Sequence, residues 1–235
     1  MTPTPNPRLL LLETSGQPGQ VGLAQGEVLL ASASLPIARR HARDLAPTVQ
    51  QLLREQGWRA GDLQAVAVGR GPGSYTGLRV GIISAKALAY ALQIPILAVD
   101  TFAILALQAG PGPELHVLED AQQNKVYAQV FRFEPGQSRP EPISSLTIQP
   151  FAAWSSTVPA GARVTGPALE TFASALPAHV TPLLPTLWHP QLSAMLSLVL
   201  DLWSRQETTD LWKLEPLYLR PSEAEEAWES RRPRS

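Results

Sequence analysis

At 235 residues, with 44% hydrophobic and 17% charged, the chain is long enough for one large domain or two small ones. A formal net charge of −1 argues against an obligate nucleic-acid binder working through a broad basic face. The absence of cysteine excludes disulfides, thiolate nucleophiles and cysteine–zinc sites, and suits a cytoplasmic protein.

The polar, proline-containing stretch at 1–7 has no charged and apolar regions in succession, so no signal peptide is expected. Each long apolar run is broken by polar or charged residues well inside eighteen positions, so no membrane span is expected either. Residues 8–15, with four consecutive leucines before Glu13, Thr14 and Ser15, read as a buried first strand closing on a short polar turn. Residues 21–24 and 28–33 read as two further strands, joined by a tight hairpin at Gln25-Gly26 or Gly26-Glu27. A helix is predicted over 42–56, with Leu45, Val49, Leu52 and Leu53 on one face and Gly57 as its stop. A strand at 65–68, a glycine turn, a helix over 77–92, a strand at 94–99 and a short helix from 101 to about 108 complete a β-β-β-α-β-α-β-α order. A flavodoxin-like chain would instead begin β-α.

Gly110-Pro111-Gly112-Pro113 punctuates the chain. The expected division is a first half at 1–109, a second half at 110–220 and a charged tail at 221–235. Strands are predicted at 115–120 and 125–133. Residues 140–190 are proline-rich and weakly periodic, and yield only a strand near 163–166 and a helix near 168–175. A strong helix follows at 191–204, where Leu192, Met195, Leu196, Val199, Leu200 and Trp203 form one stripe.

The most informative block runs Gly69-Arg70-Gly71-Pro72-Gly73-Ser74-Tyr75-Thr76-Gly77-Leu78-Arg79-Val80-Gly81. Glycines here reach positive φ and let main chain pass close to main chain. Ser74 or Thr76 can cap the following helix, whose N-terminal N–H groups make a candidate anion pocket. A Walker A loop is excluded, because Gly77 is followed by Leu78 and Arg79 rather than by lysine. A dinucleotide fingerprint is excluded too, because its third glycine would fall on Ser74 or Thr76.

Over its whole length this block resembles the G-R-G-P-G-S-[FY]-T-G-[LVI]-R-[IV]-G signature of the bacterial TsaB (YeaZ) family. The likeness extends in family order from residue 9 to 220. Glu13-Thr14-Ser15 is similar to the family's first-strand D-T-S, with Glu for Asp. His41-Ala42-Arg43-Asp44-Leu45-Ala46-Pro47 is similar to H-S-x-x-L-[LM]-P. Asp120-Ala121 through Val126-Tyr127 matches the ends of D-A-R-x-x-E-[VI]-Y, with Gln122 for the arginine and Lys125 for the glutamate. Pro216-Leu217-Tyr218-Leu219-Arg220 resembles P-x-Y-[LV]-R. The resemblance implies an α/β, actin-like ATPase (ASKHA) fold of two β-β-β-α-β-α-type halves, the second reduced and proline-rich. In that fold a late helix returns onto the first half, the expected place of 191–204.

Several residues are candidates for chemistry. His41 stands where related actin-like enzymes hold a metal, but a second histidine would be needed four residues on, and position 45 is leucine. His116, His179 and His189 are not within helical reach of one another. No metal site is therefore expected, and His41 is assigned to a helix start or an interface. Glu13, with Ser15, is a candidate nucleotide or anion contact through Mg²⁺ or water. The alternative is that Glu13 only accepts hydrogen bonds from loop N–H groups. Arg39, Arg40 and Arg43 at a helix N-terminus oppose the macrodipole, and are either solvated or contacts for an acidic partner or RNA phosphate. Gly77, Gly81, Ser84 and Ala85 make a small-residue face that admits close helix packing, onto this chain's own sheet or onto a partner.

The family resemblance implies that the first two helices form an interface with the TsaD subunit or with a second copy. On that basis His41, Arg43, Leu45, Gly81, Ser84 and Ala85 are the expected interface residues. Gly71, Pro72, Gly73, Ser74, Tyr75, Thr76 and Gly77 are expected to be structural. The implied role is a non-catalytic scaffold in the synthesis of threonylcarbamoyladenosine in tRNA. Its partners would be TsaD and, with it, the TsaE ATPase, with tRNA reached through the complex and a homodimer when alone. No cofactor of its own is expected; ATP or ADP would sit at the complex interface. The rival is an autonomous actin-fold phosphotransferase or metallopeptidase, recognisable by bound ATP–Mg or metal. An autonomous RNA-binding module is a third reading, and net charge disfavours it.

Overall fold

The computed structural model describes residues 5–35, 41–134, 137 and 139–217, and within the first helix the side chains of residues 41 and 42 are not described. Arg39, Arg40, Tyr218-Leu219-Arg220, the 221–235 tail and the His41 side chain thus lie outside the described residues.

Four successive leucines in β1 (Arg8–Glu13) place side chains alternately on the two sides of a sheet. All four are fully buried, so both sides must be covered. β1 pairs antiparallel with β2 (Gln20–Gln25), and β2 pairs antiparallel with β3 (Val28–Ser34) around a Gly26-Glu27 turn in which Gly26 has φ +56°. On its other side β1 pairs parallel with β4 (Ala65–Gly69), and β4 with β5 (Ile96–Val99). The resulting order is β3-β2-β1-β4-β5. α1 (His41–Glu55) and α2 (Tyr75–Leu92) cover one face, where Leu45, Val49, Leu52, Leu53, Ile82 and Ala85 meet Leu10 and Leu12. α3 (Thr101–Ala109) reaches the opposite face through Ile104, which lies with Leu9 and Leu11.

The second sheet repeats the plan. β6 (Leu115–Asp120) pairs antiparallel with β7 (Lys125–Phe133), which carries both β8 (Pro140–Pro142) and β9 (Thr147–Pro150). β10 (Arg163–Thr165) and β11 (Thr181–Pro182) extend it in parallel, giving the order β11-β10-β6-β7-β8. Position for position this is the first sheet's order read from its other edge. α4 (Phe151–Thr157) and α5 (Leu169–Phe172) build its core with Phe151, Trp154, Leu169 and Phe172.

β8, β9, α4 and β11 leave no legible pattern in the 140–190 stretch. Each is two to seven residues long, too short to display a period. What is reduced in the second half is thus the length of its elements.

α6 (Leu192–Ser204) lies on the first sheet, with Leu192, Met195, Leu196 and Val199 against Leu9, Leu11, Ala67 and Leu97. α3 is apolar nearly all round because it serves both halves. Ile104 faces the first sheet, while Phe102, Leu105 and Ala106 pack against Leu115, Val117 and Phe131 of the second.

Candidate functional site

The glycine turn sits where β4 ends, beside the end of β1. Gly71 has φ +104° and Gly73 φ +155°. The Thr101 N–H donates to the Gly71 carbonyl at 2.8 Å, and the Ser74 N–H to the Ser15 carbonyl at 2.7 Å. A Cβ on Gly73 would lie 2.6 Å from the Ser15 oxygen, and one on Gly77 would run into the Thr14 carbonyl. Backbone therefore packs on backbone, and only glycine permits it. Ser74 is the cap: its Oγ accepts from the Gly77 N–H at 3.2 Å, so α2 starts at Tyr75, two residues earlier than predicted. Pro72 is buried, Thr76 is exposed, and Tyr75 lies under the Arg79 guanidinium at 4.2 Å.

Glu13 and Ser15 are both closed off, at 2% and 3% exposure. Glu13 Oε1 accepts the Ser15 N–H at 2.8 Å, and Oε2 accepts the Thr101 hydroxyl at 3.2 Å. Burial raises its pKa, while hydrogen bonds from Ser15 and Thr101 pull it back. Of the two readings of Glu13, the structure has the second: the carboxylate is spent on the chain's own loop, and Ser15 is closed off beside it.

Between the halves sits a carboxylate that sequence reading missed. Burial pushes Glu119, at the end of β6, up to about 8, against a hydrogen bond from the Asp120 N–H, with repulsion from Asp120, Glu170 and Glu13 adding to the rise. The signal was present in Leu118-Glu119-Asp120, which repeats Leu12-Glu13-Thr14 at the end of the other half's central strand. The charged groups that shift Glu119 are all acidic.

The face that α2 buries is the one expected to meet a partner. Leu45 and Ala85 are buried at 2% and 0%, Gly81 is buried, and a Cβ on Gly81 would lie 3.2 Å from the Cβ of Thr14. The small face thus closes on Thr14, just past β1, and on the first sheet of this same chain, and cannot be a contact surface. Ser84 is half-buried, and only Arg43 of the expected interface side chains is described as exposed. The outward face of α2 instead carries Thr76, Arg79, Ile83, Ala87 and Tyr90, with Ile83 65% and Tyr90 59% exposed. Trp212, at 75% exposure, extends this face, its ring edge-on to Tyr90 at 5.9 Å. Lys86 holds the C-terminal segment there by donating to the Leu214 carbonyl at 3.1 Å. Beside it, α1 exposes Arg43, Ala46, Pro47, Gln50 and Arg54. Large apolar side chains are thus exposed here beside the cations Arg43, Arg54 and Arg79. Trp212 left no readable mark in the sequence, because its neighbour is far away in the chain.

Among the described residues, no three His, Cys, Asp or Glu side chains converge as metal ligands, and no helix is long and apolar enough to cross a membrane.

Residues 35–175 match the family model described as TsaD, tRNA N6-adenosine threonylcarbamoyltransferase. The chain is 31% identical over 129 residues to the tRNA threonylcarbamoyladenosine biosynthesis protein TsaB of Bacillus subtilis, covering 54% of this chain and 56% of that protein. It is 35% identical over 99 residues to the protein of the same name from Escherichia coli, covering 42% of each. The chain therefore spans about half the length, or less, of these curated relatives. YeaZ from Pseudomonas aeruginosa superposes with a TM-score of 0.76 at 30% identity, over 91% of this chain and 100% of that one. With the repeated strand order, these likenesses make the fold the actin-like α/β fold.

Proposed function

The chain belongs to the TsaB (YeaZ) family, within the wider group that the transferase model describes, and from that premise we propose that it is a non-catalytic subunit in the synthesis of threonylcarbamoyladenosine in tRNA. Its work is to bind a TsaD transferase through the outer faces of α1 and α2. The observation that carries this reading is the exposed Ile83–Tyr90–Trp212 surface. Ordered apolar area of that kind costs solubility unless a partner covers it. What supports the non-catalytic part is that Glu13, the acid at the end of β1, is spent on the chain's own Ser15 N–H and Thr101 hydroxyl. TsaE joins through TsaD, tRNA is reached through the assembled complex, ATP or ADP sits at the subunit interface, and in the absence of TsaD the same face pairs two copies. The setting is the cytoplasm.

The test is assembly. Purified chain and TsaD are expected to co-elute in size exclusion, and Ile83→Asp to abolish co-elution while the monomer keeps its melting temperature. Cells carrying that variant should lose the modified nucleoside from tRNA. Full assembly and modification with Ile83→Asp would refute this surface. ATP turnover by the isolated chain would refute the non-catalytic role.

A further inference from the structure

We propose that the angle between the two halves is locked rather than hinged, and that Arg163 is the residue that locks it. This does not rest on the family reading above. The linker Gly110-Pro111-Gly112-Pro113 looks like a joint, with Gly110 at φ +69° and Gly112 at φ +156°. A joint works only if its residues are free to absorb a backbone rotation.

Here a single guanidinium holds them. Arg163, on β10, donates through Nε to the Pro113 carbonyl at 3.1 Å. Its Nη1 donates to the carbonyls of Ala109 and Pro111, each at 3.3 Å, and its Nη2 to that of Gly110 at 3.0 Å. Arginine alone presents enough N–H donors in one rigid plane to gather four carbonyls from so short a stretch. Gly112 makes room for it, since a Cβ there would lie 2.6 Å from the guanidinium carbon. The Arg163 N–H also donates to the Glu114 carbonyl at 2.9 Å, tying the clamp to the second sheet.

The first half is held from its own side. Gln108, near the end of α3, donates to the carbonyls of Leu187 and His189 at 2.9 and 2.8 Å and accepts the Gln191 N–H at 3.0 Å. α3 is itself a wedge packed against both sheets. Two-lobed proteins that close on a ligand keep such crossings loose; this one ties the crossing by side chain to backbone at both ends. The consequence is a fixed angle between the two sheets.

The chain's lack of cysteine makes a clean test. Glu27→Cys in the turn between β2 and β3 and Ala153→Cys on α4 place one nitroxide at an exposed position of each half, off the docking face, and dilution with unlabelled chain restricts the reading to pairs within one copy. Pulsed electron resonance on the full chain is expected to give one narrow distance distribution, unchanged by ATP with Mg²⁺. Adding Arg163→Met, which keeps the apolar stem and removes every donor, should roughly double its width. Should that variant fail to fold, Gly112→Ala displaces the guanidinium without deleting it and is expected to broaden the distribution likewise. A broad or two-peaked distribution in the parent pair, a shift on adding nucleotide, or parental width in the folded variants would overturn the proposal.

Discussion

Thr14 presses its hydroxyl against Gly81 and has no hydrogen-bond partner among the described residues. An unpaired buried hydroxyl costs about 1–3 kcal/mol. Thr14→Val keeps the shape and removes the polar atom, so it is expected to stabilise by about 1 kcal/mol, read as a raised melting temperature. A lowered one would mean that the hydroxyl finds a partner in solution. Gly73 fails in the opposite direction when substituted. Its φ of +155° and the 2.6 Å approach of a Cβ to the Ser15 carbonyl leave no place for a branched side chain. Gly73→Val should cost roughly 1–3 kcal/mol through strain, seen as a lower denaturant midpoint. An unchanged midpoint would show that the turn relaxes. At this scale much was legible from the sequence: the residue types of a Gly-Pro-Gly turn are enough to announce positive φ and close backbone contact. The loop N–H that Glu13 accepts was foreseeable from its neighbours, but its second partner Thr101 was not, because Thr101 lies far along the chain.

α2 has two working faces, and the same pair of substitutions separates them. Gly81→Leu adds volume against Thr14 and the first sheet that a tight helix–sheet crossing cannot absorb, so a cost of roughly 1–3 kcal/mol falls on the monomer's own stability. Ile83→Asp sits on the outward face and should leave the melting temperature nearly unchanged while weakening association with the transferase. Measuring both variants by thermal melt and by size exclusion with the partner gives a crossed pattern. If Gly81→Leu melts like the parent, the inward assignment fails. The apolar periodicity of α1 correctly marks its buried face, since Leu45, Val49, Leu52 and Leu53 are at most 5% exposed. α2 is less transparent, because alanines, glycines and isoleucines are spread round its circumference. Small residues read the same whether the close neighbour belongs to this chain or to another.

For the molecule as a whole, the acids that burial shifts set a pH dependence. Glu119 has its folded pKa raised from 4.5 to about 8, mainly by burial. Between those values the folded state holds a proton that the unfolded chain has released, so stability falls as pH rises. Its contribution is fully present below 4.5 and lost by the time pH passes about 8. Glu13, also raised by burial, acts in the same direction. His116 runs the other way. The Trp154 indole N–H donates to its Nδ1 at 3.1 Å, and burial depresses its pKa below 6.5, so its contribution is lost as pH falls through that depressed value. Comparing Glu119→Gln with the parent cancels the histidine. The variant is expected to be more stable at pH 8 by roughly 1–3 kcal/mol, with the difference shrinking toward pH 5. A difference independent of pH would mean that Glu119 ionises normally.

By itself the sequence determined the order of the elements in the first half, the buried face of α1, the glycine turn and the family resemblance. All of these are carried by residues within a turn or a period of one another, where local propensity and patterning operate. It also placed 191–204 as a helix with one apolar stripe. Only the tertiary structure decided which surfaces those elements present. It turned Gly81 and Ala85 inward, brought Trp212 against Tyr90, set Glu119 within the fields of Glu13 and Glu170, and aimed Arg163 at the linker carbonyls. Each of these joins residues far apart in the chain. The same side chains elsewhere would be solvated, and their energies depend on burial and on partners that no local pattern encodes.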